Sequence, residues 1–406
     1  MQGGVTKAAR DAGFAPERLA RLDGWMRQQV DGGRLAGLSA LIWRRGAVAY
    51  RAAYGMADVE GGKPFADDTI VRIYSMTKPL TSTAIMMLYE DGHFQLDDPI
   101  ARFLPYFRDM RVFTGGSRLL YGSEPALRDI TFRDLLTHTS GLTYGFMDAT
   151  PVDALYRERG VDFQTTDATL GEVVERAAAL PLIAQPGAAW NYSIATDVLG
   201  HLVAVISGMA FGDFLRERVL RPLGMVDTDF SVPEDKVGRF AALYMRGADG
   251  RPTLMEPSGR QRYFAPSLAS GGGGLVGTAA DYLRFCRMML NKGELDGVRL
   301  LGRKTVELMT ANHLHGDMAD MGQARFSEST YVGIGFGLGF SVMLDPAKAQ
   351  ILGSPGEYAW GGAASTAFWC DPQEQMAAIL LTQLLPSSTY PIRREMRVLT
   401  YQAMVD

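Results

Sequence analysis

The chain contains the stretch Ile73-Tyr74-Ser75-Met76-Thr77-Lys78-Pro79-Leu80, which continues as Thr81-Ser82-Thr83-Ala84-Ile85-Met86-Met87-Leu88-Tyr89 and reaches Asp91-Gly92. Apolar residues recur at helical spacing within it, and Asp91-Gly92 are residue types that end helices, so we predict a helix. Proline lacks an N–H and is tolerated only around the first turn, so Pro79 places the helix start near Ser75. Ser75 and Lys78 then lie three residues apart on one face, at the positive end of the helix dipole.

This placement suggests a nucleophile. A serine hydroxyl attacks poorly until a neighbour removes its proton, and the amine of Lys78 lies one turn away from Ser75. The backbone N–H of Ser75, unpaired at a helix start, is free to bind an oxyanion. The pattern S-x-x-K is short, and by itself it also fits a capping serine beside a solvated lysine. The chemistry therefore needs further residues elsewhere in the chain.

The composition is that of an ordinary globular protein. The 406 residues are 47% hydrophobic and 21% charged, which is enough to bury a large core divided between two lobes. A net charge of −4, with both signs interspersed, provides no basic surface, so we expect neither a nucleic acid partner nor a polybasic membrane patch.

The sequence also bears on location and redox state. The first ten residues have no apolar core of the length a secretory signal needs, and no run approaches the roughly 18 apolar residues of a membrane span. We therefore expect a cytoplasmic protein. Cys286 and Cys370 are too few for a disulfide framework or a cysteine metal site, and we predict two buried thiols.

Strand signals lie near both ends of the chain, and helical signals fill its middle. We predict a helix over residues 16–31, a hairpin from Leu38–Trp43 and Ala47–Tyr50, and late strands over 333–342, 363–369 and 376–383. Helices are predicted over 170–180, 194–206, 211–220, 278–290 and 391–404. The simplest architecture is α/β of the α+β type: residues 1–95 and 325–406 form an antiparallel sheet flanked by helices, and residues 96–324 form an inserted, mostly helical lobe. The active site is expected between them.

Two later segments offer partners for Ser75. Trp190-Asn191-Tyr192-Ser193 stands at the head of a helix, where the Tyr192 hydroxyl could take the serine proton and return it to a leaving group. Tyr358-Ala359-Trp360-Gly361-Gly362-Ala363 precedes a late strand, where paired glycines let a substrate approach the backbone. The N–H of Ala363 is then a candidate second oxyanion donor. Each segment alone also fits ordinary packing or an ordinary turn.

Five segments, taken together and in this order, resemble the serine β-lactamase and penicillin-binding-protein superfamily. They are Ser75 to Lys78, His138-Thr139-Ser140-Gly141-Leu142, Tyr192, the glycine-rich 270–277 and Trp360-Gly361-Gly362. The resemblance covers nearly the whole chain and is greatest to the class C β-lactamase-like esterases, the family VIII carboxylesterases. It implies that Ser75 is the nucleophile, that Lys78 and Tyr192 transfer the proton, and that Ser75 and Ala363 form the oxyanion hole.

Two departures from class C β-lactamases favour an esterase. Where those enzymes read Y-x-N, Tyr192-Ser193-Ile194 has no side-chain amide, and where they read K-T-G, Trp360 removes the cation that holds a substrate carboxylate. Charge-assisted contacts are among the strongest in a site, so neutral esters should suffer least from this loss. We expect a serine carboxylesterase acting on short-chain or small acyl esters through an acyl-enzyme, with no metal or organic cofactor. The substrate-binding residues are expected to be Ser193, Trp360, Gly361 and Gly362, with Tyr144, Phe146 and Met147 on the acyl side from their position alone.

Other activities remain open at this point. An acyltransferase would use the same acyl-enzyme, weak β-lactamase activity is a third possibility, and a catalytically silent penicillin-recognising homologue would not need Ser75, Lys78 and Tyr192 together. No G-x-S-x-G elbow occurs in the chain. His313-Leu314-His315 resembles part of a zinc signature without the further ligands, and the G-x-G-x-x-G of residues 272–277 lacks a preceding apolar strand, so both are predicted to be loops. The natural substrate and oligomeric state do not follow from the sequence.

Overall fold

The centre of the fold is an antiparallel β-sheet whose strands come from both ends of the chain. The computed structural model describes residues 1–163, 167–259, 261–322 and 330–406, and within these the sheet has nine strands. In chain order they are β1 Gln2–Val5, β2 Gly37–Arg44, β3 Ala47–Asp58, β4 Lys63–Pro64, β5 Ile334–Phe336, β6 Ser341–Met343, β7 Tyr358–Gly361, β8 Ala367–Asp371 and β9 Met376–Thr382.

The strand order shows how the two ends meet. It runs β1-β3-β2-β9-β8-β7-β6-β5, with β4 paired to β3. Strand β9, near the C-terminus, pairs antiparallel with β2, and Ile379 lies opposite Leu41. The prediction of one antiparallel sheet built from both chain ends is therefore confirmed.

Helices cover both faces of this sheet. The α-helices of the described residues are α1 Pro16–Leu19, α2 Arg21–Asp31, α3 Thr77–Glu90, α4 Phe132–Leu136, α5 Pro151–Glu158, α6 Leu170–Ala178, α7 Ala195–Ser207, α8 Phe211–Leu215, α9 Ala279–Leu290, α10 Arg303–Met309, α11 Pro346–Ala349 and α12 Ile392–Tyr401. On one face, Met26 of α2 and Met396 of α12 belong to the same buried cluster as Ile42 and Leu380 of the sheet. The opposite face packs against the larger core that holds α3 and α7.

Helix α9 corrects the predicted division of the chain. It lies within the segment 96–324 that was assigned to the helical lobe, yet it packs against strands β2, β8 and β9. The ring centroids of Tyr282 and Phe368 are 4.8 Å apart, and the guanidinium of Arg287 lies 5.9 Å from the ring centre of Trp43. Helical periodicity marks an apolar face but does not say which surface that face covers. The other predicted boundary, at residues 324 and 325, lies outside the described residues.

The middle of the chain also contains short strands that were not predicted. Three two-stranded pairs form: Val71–Arg72 with Val276–Gly277, Arg111–Gly116 with Tyr121–Pro125, and Glu294–Leu295 with Val298–Arg299. A three-stranded sheet has Leu243–Arg246 at its centre, between Pro252–Glu256 and Leu384–Leu385. Short 3₁₀ turns occupy Tyr74–Met76, Ile100–Arg102, Pro105–Phe107, Gly145–Met147, Glu234–Arg239 and Gln261–Tyr263, and a π-helical turn, Arg216–Leu220, follows α8.

Two late strands also differ from their predictions. Residues 333–342 form not one strand but the hairpin of β5 and β6, because the chain turns between Phe336 and Ser341. The strand predicted over 363–369 begins only at Ala367, and Ala363 instead lies in the turn that joins β7 to β8. Glycine-rich period-two patterns do not distinguish a long strand from a tight hairpin.

Helix α3, which follows Ser75, is buried on all sides rather than on one face. Every residue from Thr77 to Leu88 is buried. Its polar side chains are satisfied locally: the Thr81 hydroxyl donates to the carbonyl of Gly271 at 2.8 Å, and the Thr83 hydroxyl donates to the carbonyl of Pro79 at 2.9 Å. A helix buried in this way is a rigid support for the residues at its N-terminus.

No single helix in the described part of the chain is long and apolar enough to cross a membrane. Ala195–Ser207 and Phe211–Leu220 meet those criteria only when joined, and they are bent by 86° relative to each other.

Candidate active site

Ser75 sits at the junction between the sheet and helix α3. It is the middle residue of the 3₁₀ turn Tyr74–Met76, which runs directly into α3 at Thr77. Tyr74 has a positive φ of 44°, a conformation that costs a non-glycine residue about 1–3 kcal/mol and is found preferentially at functional sites. Tyr74 is held there by packing against Leu243 and Ala364. Pro79 occupies the third position of α3, as its missing N–H requires.

Two side chains converge on the Ser75 hydroxyl. The hydroxyl of Tyr192 lies 2.6 Å from Ser75 Oγ, and Lys78 Nζ lies 3.3 Å from the same atom. The lysine amine also lies 4.5 Å from the centre of the Tyr192 ring. Tyr192 and Lys78 are both almost fully buried, at 3% and 2% exposure. The structure thus brings together the three residues predicted to be catalytic, across 117 residues of sequence between Ser75 and Tyr192.

The amine of Lys78 has two further partners. It donates to the carbonyl of Gly272 at 2.7 Å and to the hydroxyl of Tyr144 at 3.1 Å. Tyr144 was predicted to line the acyl side of the pocket. Its hydroxyl holds the lysine, and its ring stacks on that of Phe146 with 4.6 Å between centroids. The glycine-rich segment 270–277 supplies the carbonyl, so it serves the lysine rather than a dinucleotide.

Asp197, which the sequence analysis missed, lies behind Tyr144 and Lys78. Its carboxylate accepts hydrogen bonds from the Ser270 hydroxyl at 2.6 Å and from the N–H of Gly272 at 2.9 Å, and it lies close enough to the Tyr144 hydroxyl to raise the pKa of that group. Burial raises the pKa of the Asp197 carboxyl, and the charge of Lys78 opposes that rise. The Tyr144 hydroxyl accepts from Lys78 and lies near Asp197, so it stands close to both charged groups.

The same contacts keep Tyr144 un-ionised. Burial raises the pKa of the Tyr144 hydroxyl well above its usual value, and the negative charge of Asp197 raises it further. Tyr144 is therefore neutral at ordinary pH, whereas Tyr192 is the tyrosine in contact with the Ser75 hydroxyl. A sequence signal for Asp197 is present but weak: an acidic residue lies in the first turn of a helix, where it also fits the helix dipole.

Ser193 does not line the pocket as predicted. It is fully buried, and its hydroxyl lies 3.3 Å from Nδ1 of His138. The His138 ring packs 5.0 Å from the ring of Tyr192, measured between centroids. Burial lowers the pKa of His138 well below its usual value, and the nearby charge of Lys78 lowers it further, so this ring is neutral. Ser193 and His138 thus form a polar support behind Tyr192.

Ser75 opens onto a cavity of about 560 Å³. Of the predicted pocket residues, its wall includes Phe146, Met147, Trp360, Gly361, Gly362 and Ala363. Trp360 packs against Tyr192 with 5.6 Å between ring centroids, and Phe146 is 65% exposed at the rim. Arg393 and Arg394, which the sequence analysis did not single out, also line the cavity.

The two candidate oxyanion donors belong to segments that touch each other. Ser75 and Ala363 both line the cavity, and within the described residues neither N–H donates to another protein group. The Thr366 hydroxyl reaches the carbonyl of Ile73 at 3.5 Å. A side chain on Gly362 would collide with that same carbonyl. This glycine is therefore needed because the turn packs on the serine segment, and not only for the approach of a substrate.

The zinc-like segment contains no assembled metal site in the part of the chain that is described. The ring of His313 hydrogen-bonds the carbonyl of Leu308 at 2.8 Å. Among the described residues no group of three or more His, Cys, Asp or Glu side chains is placed to hold a metal ion. Cys286 and Cys370 are buried free thiols, as predicted.

The fold and the serine-centred cavity place the protein among serine hydrolases of the β-lactamase type, and comparison with known proteins agrees. The chain matches the Beta-lactamase family over residues 22–402 and belongs to that family. Esterase EstB of Burkholderia gladioli is 35% identical over 388 residues, which cover 91% of each chain. Protein Rv1367c of Mycobacterium tuberculosis (strain ATCC 25618 / H37Rv) is 38% identical over 367 residues, which cover 89% of each chain.

A solved structure supports the same assignment. EstCE1, described as a hydrolase with promiscuous acyltransferase activity, superposes with a TM-score of 0.80 at 29% identity and covers 95% of this chain and 99% of its own. The predicted superfamily and fold are therefore confirmed.

Proposed function

We propose that this protein is a serine carboxylesterase that cleaves esters of small acyl groups through an acyl-enzyme intermediate. The observation that carries the proposal is the convergence of the Tyr192 hydroxyl, at 2.6 Å, and the Lys78 amine, at 3.3 Å, on the Ser75 hydroxyl. Both distances are within or just beyond the reach required of a group that removes a proton from a nucleophile.

The reaction has two halves. The Tyr192 and Lys78 pair reacts in the form in which phenol and amine together carry no net charge, so that it can accept one proton. Ser75 Oγ then attacks the ester carbonyl while its proton passes to this pair, and the N–H groups of Ser75 and Ala363 bind the oxyanion. When the tetrahedral intermediate collapses, the pair returns the proton to the departing alkoxide, and an acyl-Ser75 ester remains. Water then attacks this ester with the same proton transfer, which releases the acid and restores the Ser75 hydroxyl.

The contacts of Lys78 with Tyr144 and with Gly272, whose N–H bonds Asp197, would keep this proton-transfer pair in place. A buried ammonium is costly unless a counter-charge and hydrogen bonds compensate it, and Lys78 has three acceptors within 3.3 Å. Fixing the amine in this way orients it toward Ser75 at no further entropic cost during the reaction.

The choice of esters over lactams rests on Trp360. At the position where class C β-lactamases carry the lysine of K-T-G, this chain places an indole that packs on Tyr192. The indole offers apolar surface to an acyl or alcohol group instead of a charge for a substrate carboxylate.

The test uses two chromogenic substrates and two serine variants. Purified protein is assayed with p-nitrophenyl butyrate and with a chromogenic cephalosporin, alongside Ser75→Ala and the matched control Ser82→Ala, a second buried serine near the start of α3. We expect rapid ester turnover, little lactam cleavage, and loss of both in Ser75→Ala only. Mass spectrometry of acid-quenched enzyme should locate the acyl group on the peptide that contains Ser75. Undiminished ester turnover by Ser75→Ala would refute the proposal, and preferential lactam cleavage would replace it by a β-lactamase.

Acyl transfer to an alcohol is a second candidate. It is favoured by the likeness to EstCE1, described as having promiscuous acyltransferase activity, and by a cavity volume of about 560 Å³, which falls in the range that holds a drug-sized ligand. A butyryl group alone would leave room there for an acceptor. Adding n-butanol to the ester assay separates the two activities: butyl butyrate indicates transfer, and free butyric acid alone indicates hydrolysis.

A further inference from the structure

Arg393 reaches from the C-terminal helix to the turn that carries Ala363. It is the second residue of α12, it is half-buried, and it lines the same cavity as Ser75. Its Nη2 donates to the carbonyl of Gly362 at 2.7 Å and to the carbonyl of Thr366 at 2.9 Å. These two residues are the first and last of the turn 362–366, so one guanidinium nitrogen spans its base.

The rest of the turn is tightly held. The N–H of Gly362 donates to the carbonyl of Thr366 at 2.9 Å, and the N–H of Ser365 donates to the carbonyl of Gly362 at 3.1 Å. The Ser365 hydroxyl donates to the carbonyl of Leu384 at 2.7 Å. A carbonyl oxygen has two lone pairs, so the carbonyls of Gly362 and Thr366 can each accept from Arg393 in addition to these bonds.

The glycines of this segment allow the close approach of Arg393. A Cβ atom on Gly361 would lie 2.8 Å from Cζ of the Arg393 guanidinium, closer than real Cβ atoms come to other atoms. On its other side the turn meets the serine segment, because a Cβ atom on Gly362 would collide with the carbonyl of Ile73. The turn is thus clamped between the guanidinium and the segment that holds the nucleophile.

The contact with Gly362 matters because of which peptide group it touches. The carbonyl of Gly362 and the N–H of Ala363 belong to one peptide unit. A hydrogen bond donated by a cation to the carbonyl oxygen draws electron density toward that oxygen and makes the N–H of the same unit a stronger donor. Arg393 therefore acts on the proposed oxyanion donor without touching the substrate.

We propose that Arg393 is a positioning residue for the oxyanion hole: it fixes the direction of the Ala363 N–H and polarises its peptide unit through the Gly362 carbonyl. This inference rests on the proposed function. Oxyanion stabilisation acts in the transition state and not on the bound ester, so removing Arg393 should lower kcat and leave KM nearly unchanged. Losing a whole oxyanion donor costs about 10²–10³ in kcat, and weakening one donor should cost about tenfold.

The experiment compares Arg393→Met and Arg393→Lys with Arg133→Met. Arg133 is the matched control, because its guanidinium likewise donates to a backbone carbonyl, that of His313 at 2.9 Å, but it is exposed and is not among the described residues that line the cavity. With p-nitrophenyl butyrate we expect Arg393→Met to lose about tenfold in kcat, with KM within about twofold. Arg393→Lys keeps the charge without the planar guanidinium and should lose less, and Arg133→Met should keep the wild-type kcat.

A boronic acid that forms a tetrahedral adduct on Ser75 provides the second readout. Its affinity should fall in Arg393→Met by the same factor as kcat, since both depend on the oxyanion hole. Unchanged kcat and boronate affinity in Arg393→Met would overturn the inference, as would a raised KM with unchanged kcat, which would make Arg393 a substrate-binding residue. If Arg393→Met does not fold, wild-type kcat and boronate affinity in Arg393→Lys would overturn it. Wild-type protein without ester turnover would instead refute the proposed function.

Discussion

The two tyrosines near Lys78 should respond differently to loss of their hydroxyl groups. Tyr192→Phe removes the atom that lies 2.6 Å from Ser75 Oγ. The aromatic ring would keep its packing, with centroids 5.6 Å from Trp360 and 5.0 Å from His138. The substitution thus removes a proton-transfer group and leaves the shape of the site intact.

The expected size of the effect follows from the role proposed for the hydroxyl. A positioned acid–base group contributes about 10²–10⁴ to the rate, which corresponds to about 3–5 kcal/mol in the activation free energy. We expect kcat to fall by that factor, while loss of one hydrogen bond changes the free energy of unfolding by only about 1 kcal/mol. In Tyr192→Phe we therefore expect a large fall in kcat for p-nitrophenyl butyrate and only a small change in the free energy of unfolding measured by urea titration.

Tyr144→Phe is the matched comparison. The Tyr144 hydroxyl accepts from Lys78 at 3.1 Å, and its loss leaves the buried amine of Lys78 one acceptor short. That costs about 1–3 kcal/mol of stability, whereas the contacts of Ser75 with Lys78 and Tyr192 remain. For Tyr144→Phe we therefore expect a larger loss of stability than for Tyr192→Phe, and a smaller fall in kcat, of about tenfold. A Tyr192→Phe variant with kcat within tenfold of wild type, or one slowed no more than Tyr144→Phe, would refute the assignment of Tyr192 to proton transfer.

Three further predictions concern the surroundings of the site. Burial and the charge of Lys78 lower the pKa of His138 in the folded protein. Below about pH 6.5 the unfolded chain therefore binds a proton on this histidine that the folded protein does not bind. The free energy of unfolding should thus fall as the pH decreases. His138→Asn, which suits the positive φ of 56° at that position, should reduce this slope by up to about 1.4 kcal/mol per pH unit in urea titrations at pH 5 and 6; an unchanged slope would contradict it. Trp360→Lys should lower KM for a cephalosporin about 10- to 100-fold by restoring a charge-assisted contact, and an unchanged KM would show that the carboxylate lies elsewhere. Gly362→Ala should lose about 1–3 kcal/mol of stability and also kcat, because its methyl group would meet the carbonyl of Ile73; wild-type melting and turnover would mean that the turn moves freely.

Local patterns account for the parts of the site that were predicted. The spacing of Ser75 and Lys78 and the position of Pro79 depend only on backbone geometry over one helical turn, and the structure reproduces them. The strands at both chain ends were recognisable because short apolar runs bounded by turn residues are also local. One antiparallel sheet built from both chain ends was inferred as the simplest architecture, and the pairing of β9 with β2 confirms it.

The sequence did not indicate contacts in which a side chain's role depends on a distant partner. Tyr144 was predicted for the acyl side of the pocket, and the contact of its hydroxyl with Lys78, 66 residues away in sequence, was not foreseen. Ser193 was predicted to contact substrate, and it turns inward to His138. Helix α9 was assigned to the wrong lobe because its apolar face fits either neighbour.

The sequence alone thus indicated the class of chemistry, through the family resemblance that Ser75, Lys78 and Tyr192 carry with the other segments. It also indicated the sheet, since helix starts and strand-like apolar runs are properties of neighbouring residues. Only the tertiary structure decided that Asp197 stands behind Tyr144 and Lys78, and that Arg393 lies against the carbonyl of Gly362. Such contacts leave no periodic trace in the chain. They depend on how separate elements pack, and packing selects among partners that each local pattern would accept equally well.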